Sequence, residues 1–240
     1  MRLGELRLLS SRSDLERIPE RKVLINTVNA WSFVVAQEDP LFAAALREGD
    51  YLIPDGISIV KAARFLRLEQ APIERVAGWD LFCFEMDRLE ARGGVCLFLG
   101  SSPSVLEAIR TRAAVDYPHI RVETFSPPYK AEFSEEDSRE MLDVIRQTDP
   151  DLLWIGMTAP KQEKWTYEHW SEMDIHCPCG TVGAVFDFFA GTARRAPGKW
   201  QRAGLEWLYR LLHEPKRMAR RYLVGNPKFL WLILKEKMTQ

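Results

Sequence analysis

The chain has 240 residues, 46% of them apolar, and its 33 Lys and Arg nearly balance 34 Asp and Glu for a net charge of −1. That length allows one large domain or one domain with a small appendage, and the balance excludes a chain held unfolded by its own charge. Four cysteines are too few for a disulfide scaffold and point to a reducing compartment.

The first 22 residues are dotted with charges and lack an apolar stretch, so they are not read as a signal peptide. Beyond them, short apolar runs at 22–26, 51–53, 95–99, 121–125, 152–155 and 174–177 are bounded by Gly, Pro or Asp and predict buried strands. Helix-sized segments lie between, one of them starting near Ile57. Pro103 behind Ser102 predicts a helix from its first position to about Asp116. Ser134, followed by Glu135, Glu136 and Asp137, predicts a capped helix to about Gln147, with acid at the positive end of its dipole. This alternation predicts an α/β fold over residues 1–193, a largely parallel sheet with helices on both faces. Ligands of such sheets sit in loops beyond the carboxyl ends of the strands.

Residues 194–240 differ. Twelve Lys and Arg stand there against Glu206, Glu214 and Glu236, a net of +9 that leaves −10 for the remainder. A basic tail on an acidic body seeks an anionic partner. The segment 204–212 reads as a helix with Leu205, Leu208, Leu211 and Leu212 on one face. Pro215 ends or restarts it, and a second helix sets Met218 and Tyr222 opposite Arg217, Arg220 and Arg221. Gly225-Asn226-Pro227 is expected to break that helix, leaving a final amphipathic piece at 228–237 around Phe229 and Trp231. We read 194–240 as a separate helical appendage. Its apolar run at 229–234 is too short to span a bilayer, so an intracellular protein without a membrane anchor is expected.

Common motifs are missing. The sequence has no G-x-G-x-x-G after a strand, no G-x-x-x-x-G-K-[ST], no G-x-S-x-G and no H-E-x-x-H. Cys177-Pro178-Cys179 beside His176 lacks zinc-knuckle spacing and is better read as strand-end packing. Asp149-Pro150-Asp151 resembles a metal-binding D-x-D, yet Pro150 explains it as a helix–strand boundary.

Three strand-to-helix loops carry small and polar residues. Asn26-Thr27-Val28-Asn29 and Pro54-Asp55-Gly56-Ile57-Ser58 form the first pair. Asp55 at a strand's carboxyl end suits a general base, although by pattern alone a plain Asp-Gly turn explains it better. Gly100-Ser101-Ser102-Pro103 leads into a helix whose N–H groups and dipole suit a phosphate, and an ordinary connection looks the same. In Gly156-Met157-Thr158-Ala159-Pro160-Lys161-Gln162-Glu163-Lys164, Gln162 offers a donor and an acceptor to a base or sugar, while a solvated first helical turn explains the charges equally.

Taken in order, the motifs are more specific. Asn29, Pro54-Asp55-Gly56-Ile57, Arg75-Val76-Ala77-Gly78-Trp79-Asp80-Leu81-Phe82 and Ala159-Pro160-Lys161-Gln162-Glu163-Lys164-Trp165 come first. Gly183-Ala184-Val185-Phe186-Asp187-Phe188-Phe189-Ala190-Gly191, Arg195-Ala196-Pro197 and Gly204-Leu205-Glu206-Trp207-Leu208-Tyr209-Arg210 follow, then Glu214-Pro215-Lys216-Arg217 and Arg220-Arg221-Tyr222-Leu223. The series, spanning about residues 23–234, resembles the WecG/TagA/CpsF family of bacterial glycosyltransferases (glycosyltransferase family 26).

That resemblance implies a Rossmann-like body with a C-terminal appendage that helps build the site at the membrane. It implies inverting transfer of a sugar (N-acetylmannosamine, its uronic acid or glucose) from a UDP-sugar to a saccharide on undecaprenyl diphosphate. Family members do this at the cytoplasmic leaflet, in making teichoic acid, enterobacterial common antigen or exopolysaccharide. The implied catalytic base falls on Asp55, with Thr27 and Asn29 as its polar neighbours and Gln162 from the P-K-Q-E motif. Arg210, Arg217 and Arg220 match the appendage arginines that meet the diphosphates, and their spacings of seven and three place them on one helical face. Gly56, Gly100, Ser101, Ser102, Pro160 and Lys161 complete the candidate substrate contacts. One departure is Ser101, where the family often has a second Gly.

No metal or other cofactor is expected, the UDP-sugar being a substrate. The expected location is cytoplasmic, at the inner face of the membrane, with Trp200, Trp207, Trp231 and Phe229 at headgroup depth beside the basic residues. A homo-oligomer is compatible with the sequence. The main rival is a non-catalytic nucleotide-sugar or lipid-binding module that recruits partners through the tail. A nucleic-acid arm is disfavoured because the tail has helically spaced leucines and no aromatic-studded single-strand module, and a dehydrogenase fails for want of a dinucleotide fingerprint.

Overall fold

A computed structural model describes residues 1–202 and 204–240, with all side chains among them except those of Gln201, Arg202 and Arg217. Six strands form one sheet: β1 (Val23–Val28), β2 (Tyr51–Pro54), β3 (Gly94–Gly100), β4 (Ile120–Phe125), β5 (Leu152–Gly156) and β6 (Pro178–Thr181). Their order is β2-β1-β6-β5-β3-β4 and every pairing is parallel. The body's helices are α1 (Ala30–Val35), α2 (Pro40–Glu48), α3 (Ile57–Leu66), α4 (Gly78–Arg92), α5 (Pro103–Asp116), α6 (Glu135–Thr148), α7 (Lys161–His169) and α8 (Ala184–Ala190). After them come α9 (Gly198–Arg202), α10 (Glu206–His213), α11 (Pro215–Ala219), a π turn (Arg220–Val224) and α12 (Gly225–Met238). The sheet is the Rossmann-like α/β arrangement that the strand–helix alternation and the family resemblance imply.

Alternate residues of each strand feed opposite faces. Ile25, Ile53, Cys96, Phe98 and Trp154 pack with α4, α5 and α8. On the other face, Leu24, Leu97, Leu99, Leu153 and Ile155 pack with α6 and α7, and Val28 and Leu52 pack with α1, α2, α3 and α12. Burial on both faces explains why the strands read as unbroken apolar runs rather than alternating ones.

The two capped helices form as their signals predict. Ser102 Oγ accepts from the Val105 N–H, and Ser134 Oγ from that of Asp137. Two other expectations are corrected. The sixth strand lies at Pro178–Thr181 rather than 174–177, whose Ile175 and Cys177 are buried in irregular backbone. Pro178 takes the first strand position, where its missing donor matters least, and Gly180 is needed because the Trp154 ring fills the space of a side chain. Nor does Gly225-Asn226-Pro227 break the last helix, since the chain runs through the π turn into α12. Pro227 sits in the first turn of α12, and a Cβ on Gly225 would lie 2.6 Å from the Trp31 ring.

The Asp149-Pro150-Asp151 boundary lies at the amino end of the sheet. Asp149 caps α6, and Asp151 accepts from the Val95 N–H at 2.8 Å. Cys177 and Cys179 are buried thiols in the core. Among the described residues no helix is long and apolar enough to cross a membrane, and no cluster of three or more acidic, His or Cys side chains could hold a metal.

Candidate active site

The topology itself selects a crevice. From β3 the chain moves outward to β4, whereas from β5 it moves inward to β6, so their carboxyl ends flank a switch point. There Gly100 and Gly156 are register partners. Gly100 has φ +125°, and a Cβ on it would lie 2.6 Å from the Gly156 carbonyl oxygen, so the floor is bare backbone. Ser101 adopts φ +64°, a left-handed conformation that glycine takes at less cost, and its carbonyl accepts from Ser126 Oγ at 2.8 Å. Ser101 and Ser102 therefore lead from that floor to the N-terminus of α5.

A second cluster stands at the ends of β1 and β2, where Val28 and Pro54 are partners. Asn29 caps α1, its Oδ1 accepting from the Trp31 and Ser32 N–H groups at 3.0 and 3.1 Å. Its amide nitrogen has no partner among the described residues. A Cβ on Gly56 would be 3.5 Å from Asn29 Cβ, so the Asp55-Gly56 backbone touches Asn29, and Thr27 lies under Gly78 at the start of α4. Asp55, 30% exposed, accepts on Oδ1 from Arg75 Nη2 at 3.1 Å, and its Oδ2 carries no hydrogen bond among the described residues.

Gln162 and Glu163 come between these clusters. Both are buried, which corrects the solvated first turn allowed by the sequence. Gln162 Oε1 accepts from the Met157 N–H at 3.1 Å, and its Nε2 donates to Glu163 Oε1 at 2.9 Å. The amide is thus fixed in one orientation with one N–H to spare. Burial pushes the Glu163 carboxyl up to about 7, against the pull of Gln162 and its own backbone N–H. A Cβ on Gly183 would be 3.1 Å from Gln162 Oε1, which ties this loop to the β6–α8 turn. Pro160 opens α7 without a side-chain cap. Lys161 turns towards the β4–α6 loop, donating to the Lys130 carbonyl at 2.7 Å with its ammonium 4.1 Å from the Phe133 ring centre.

Helix α10 reaches this edge through two side chains. Glu206, the first residue of α10, reaches Arg75 Nη1 at 2.7 Å in an ionic contact that is not an aligned hydrogen bond. Burial pulls the Arg75 guanidinium down, but Asp55 and Glu206 outweigh it, and Arg75 stays cationic with a raised pKa. One turn along α10, the Arg210 guanidinium lies 5.7 Å from the Phe188 ring centre in α8, and its buried Nε has no partner. Arg220 is exposed at the start of the π turn, and the Arg217 side chain lies outside the described residues. The single helical face expected for the three arginines is divided at Glu214, which ends α10 and precedes Pro215.

The structure thus brings Thr27, Asn29, Asp55 and Gly56 together and sets Gln162 and the Gly100 loop along the same edge. At about 4.8 Å per strand, the end of β5 lies about 14 Å and the end of β3 about 19 Å from the end of β2. Arg75 and Glu206 join this cluster through ionic contacts, although sequence reasoning gave neither a role. Both lay inside quoted motifs, but nothing in one sequence pairs charges 131 positions apart.

Comparison with known proteins adds two findings. The sequence profile described as "Glycosyl transferase WecG/TagA/CpsF family" matches residues 8–240. The chain is also 30% identical over 203 residues to the N-acetylglucosaminyldiphosphoundecaprenol N-acetyl-beta-D-mannosaminyltransferase of Bacillus spizizenii, covering 84% of this chain and 75% of that protein.

Proposed function

The chain belongs to the WecG/TagA/CpsF family of glycosyl transferases, and from that premise we propose that it transfers a sugar, with inversion, from a UDP-sugar to a saccharide on undecaprenyl diphosphate. The product enters a bacterial cell-surface polysaccharide. The name of the Bacillus relative favours N-acetylmannosamine as the sugar and a lipid-linked N-acetylglucosamine as its acceptor.

One observation carries the reading: Asp55 stands at the carboxyl edge of the sheet, beneath the C-terminal helices, with one oxygen held and the other free. An acceptor hydroxyl is a poor nucleophile at neutral pH. As its oxygen bonds to the anomeric carbon, Asp55 Oδ2 takes its proton. The anomeric C–O bond breaks on the opposite face, and UDP departs with the electron pair. Arg210, joined by Arg217 and Arg220 as the helices close, meets the growing charge with planar forks suited to phosphate oxygens. The N–H groups at the Gly100-Ser101-Ser102 turn and the spare amides of Asn29 and Gln162 orient the donor.

The lipid acceptor places the work at the membrane surface. Leu223, Leu230, Trp231 and Leu234 are exposed on the last helices alongside Lys228 and Lys235, a mixture suited to an anionic bilayer face. Phe229 is not part of that face, because it is buried in the core.

Release of UDP, measured with a lipid-diphosphate-sugar acceptor, tests the proposal. Asp55→Asn keeps the shape and removes the basicity, so turnover should fall about 10²–10⁴-fold while donor binding persists. Turnover within a few-fold of the parent would remove Asp55 as the base and favour the non-catalytic binding module.

A further inference from the structure

Arg75 presents its two terminal nitrogens to two carboxylates on different parts of the molecule. Nη2 faces Asp55 in the β2–α3 loop, and Nη1 faces Glu206 on α10. The Glu206 side chain is 18% exposed, and the third guanidinium nitrogen, Nε, is buried with no partner. A guanidinium beside one carboxylate ordinarily takes both its oxygens in parallel. Here only Nη2 reaches Asp55, while Nη1 faces Glu206 and Nε meets no acceptor.

We infer that Glu206 is a positioning residue: by holding Arg75 to a single oxygen of Asp55, it leaves the other oxygen free, and it does so only while α10 is down over the sheet. With α10 lifted, Arg75 swings onto both oxygens of Asp55 and satisfies more of its donors. The carboxylate is then clamped at both oxygens and becomes a weaker base. Closure of the helices and exposure of the proton acceptor are therefore one event. A donor bound without the helices closed meets a masked base, which limits wasteful hydrolysis by water. This inference rests on the proposed role of Asp55.

The test uses the full chain and the UDP-release assay with three sets of variants. Asp55→Asn establishes the base. Glu206→Met keeps the length without an acceptor, and Glu206→Gln keeps a weak one. Lowering kcat about tenfold in Glu206→Met, with donor KM within about twofold, is the expected result, and Glu206→Gln should fall between it and the parent. The decisive variant combines Glu206→Met with Arg75→Gln. A neutral amide makes no charged fork on a carboxylate, so the double variant should recover several-fold over Glu206→Met alone. If Asp55→Asn is inactive while Glu206→Met matches the parent, the inference fails and the base stands. If Glu206→Met is impaired and Arg75→Gln gives no recovery, Glu206 merely anchors α10 and the inference fails. An active Asp55→Asn overturns the reading on which both depend.

Discussion

The last helix and the helix that covers the site lie close together in sequence but are held by different physics. In α12, Phe229 and Ile233 are buried, Phe229 meets Phe33 edge-on at 5.6 Å, and Glu236 accepts from the Leu3 and Gly4 N–H groups at 2.7 and 2.9 Å. In α10 no residue is buried, Leu205 and Leu212 are exposed, and the helix meets the body through the Glu206–Arg75 and Arg210–Phe188 contacts. Apolar burial offers no charge for salt to screen, whereas an ionic hold that solvent reaches is weakened by screening. The segment therefore has a fixed root and a releasable tip, with Glu214-Pro215 and the π turn between them.

The largest expected effect breaks the root. Phe229→Ala should cost about 3–5 kcal/mol in urea unfolding, the range for emptying a buried aromatic site. A loss below about 1 kcal/mol would mean that α12 is not part of the core. A smaller effect acts on the tip. Arg210→Ala should cut turnover about tenfold, roughly 1.4 kcal/mol, with the thermal midpoint unchanged. A midpoint lowered by several degrees would show α10 to be bound as firmly as α12. The finest comparison is by hydrogen exchange: raising salt from about 0.05 to 0.5 M should speed exchange of the α10 amides and leave those of α12 untouched. Equal responses would erase the distinction.

This contrast also separates what could be read in the sequence from what could not. The parallel sheet was legible because strands buried on both faces leave apolar runs that turn residues punctuate. Ser102-Pro103 and Ser134 with its acidic turn were legible because capping is local chemistry. The sixth strand was misplaced because Pro178-Cys179-Gly180-Thr181 has poor local propensity and becomes a strand through its neighbours β1 and β5. Asp55, Thr27, Asn29 and Gln162 were singled out through ordered motifs, not through periodicity. Glu163 looked like a solvated charge, and only the packing around α7 shows it buried against Gln162. Arg75 and Glu206 escaped because their meeting depends on how the last helices fold back, which no local signal encodes.

The docking of α12 on α1 and α3 has a consequence for biosynthesis. Phe33 emerges from the ribosome 196 residues before Phe229, its partner across that interface. At roughly 5–20 residues per second, the nascent chain carries the uncovered apolar faces of α1 and α3 for about 10–40 s. The amino-terminal turn likewise waits for Glu236 to accept its N–H groups. Until the final helix arrives, the half-made protein presents a patch that chaperones bind, and truncated translation products should be the forms that aggregate.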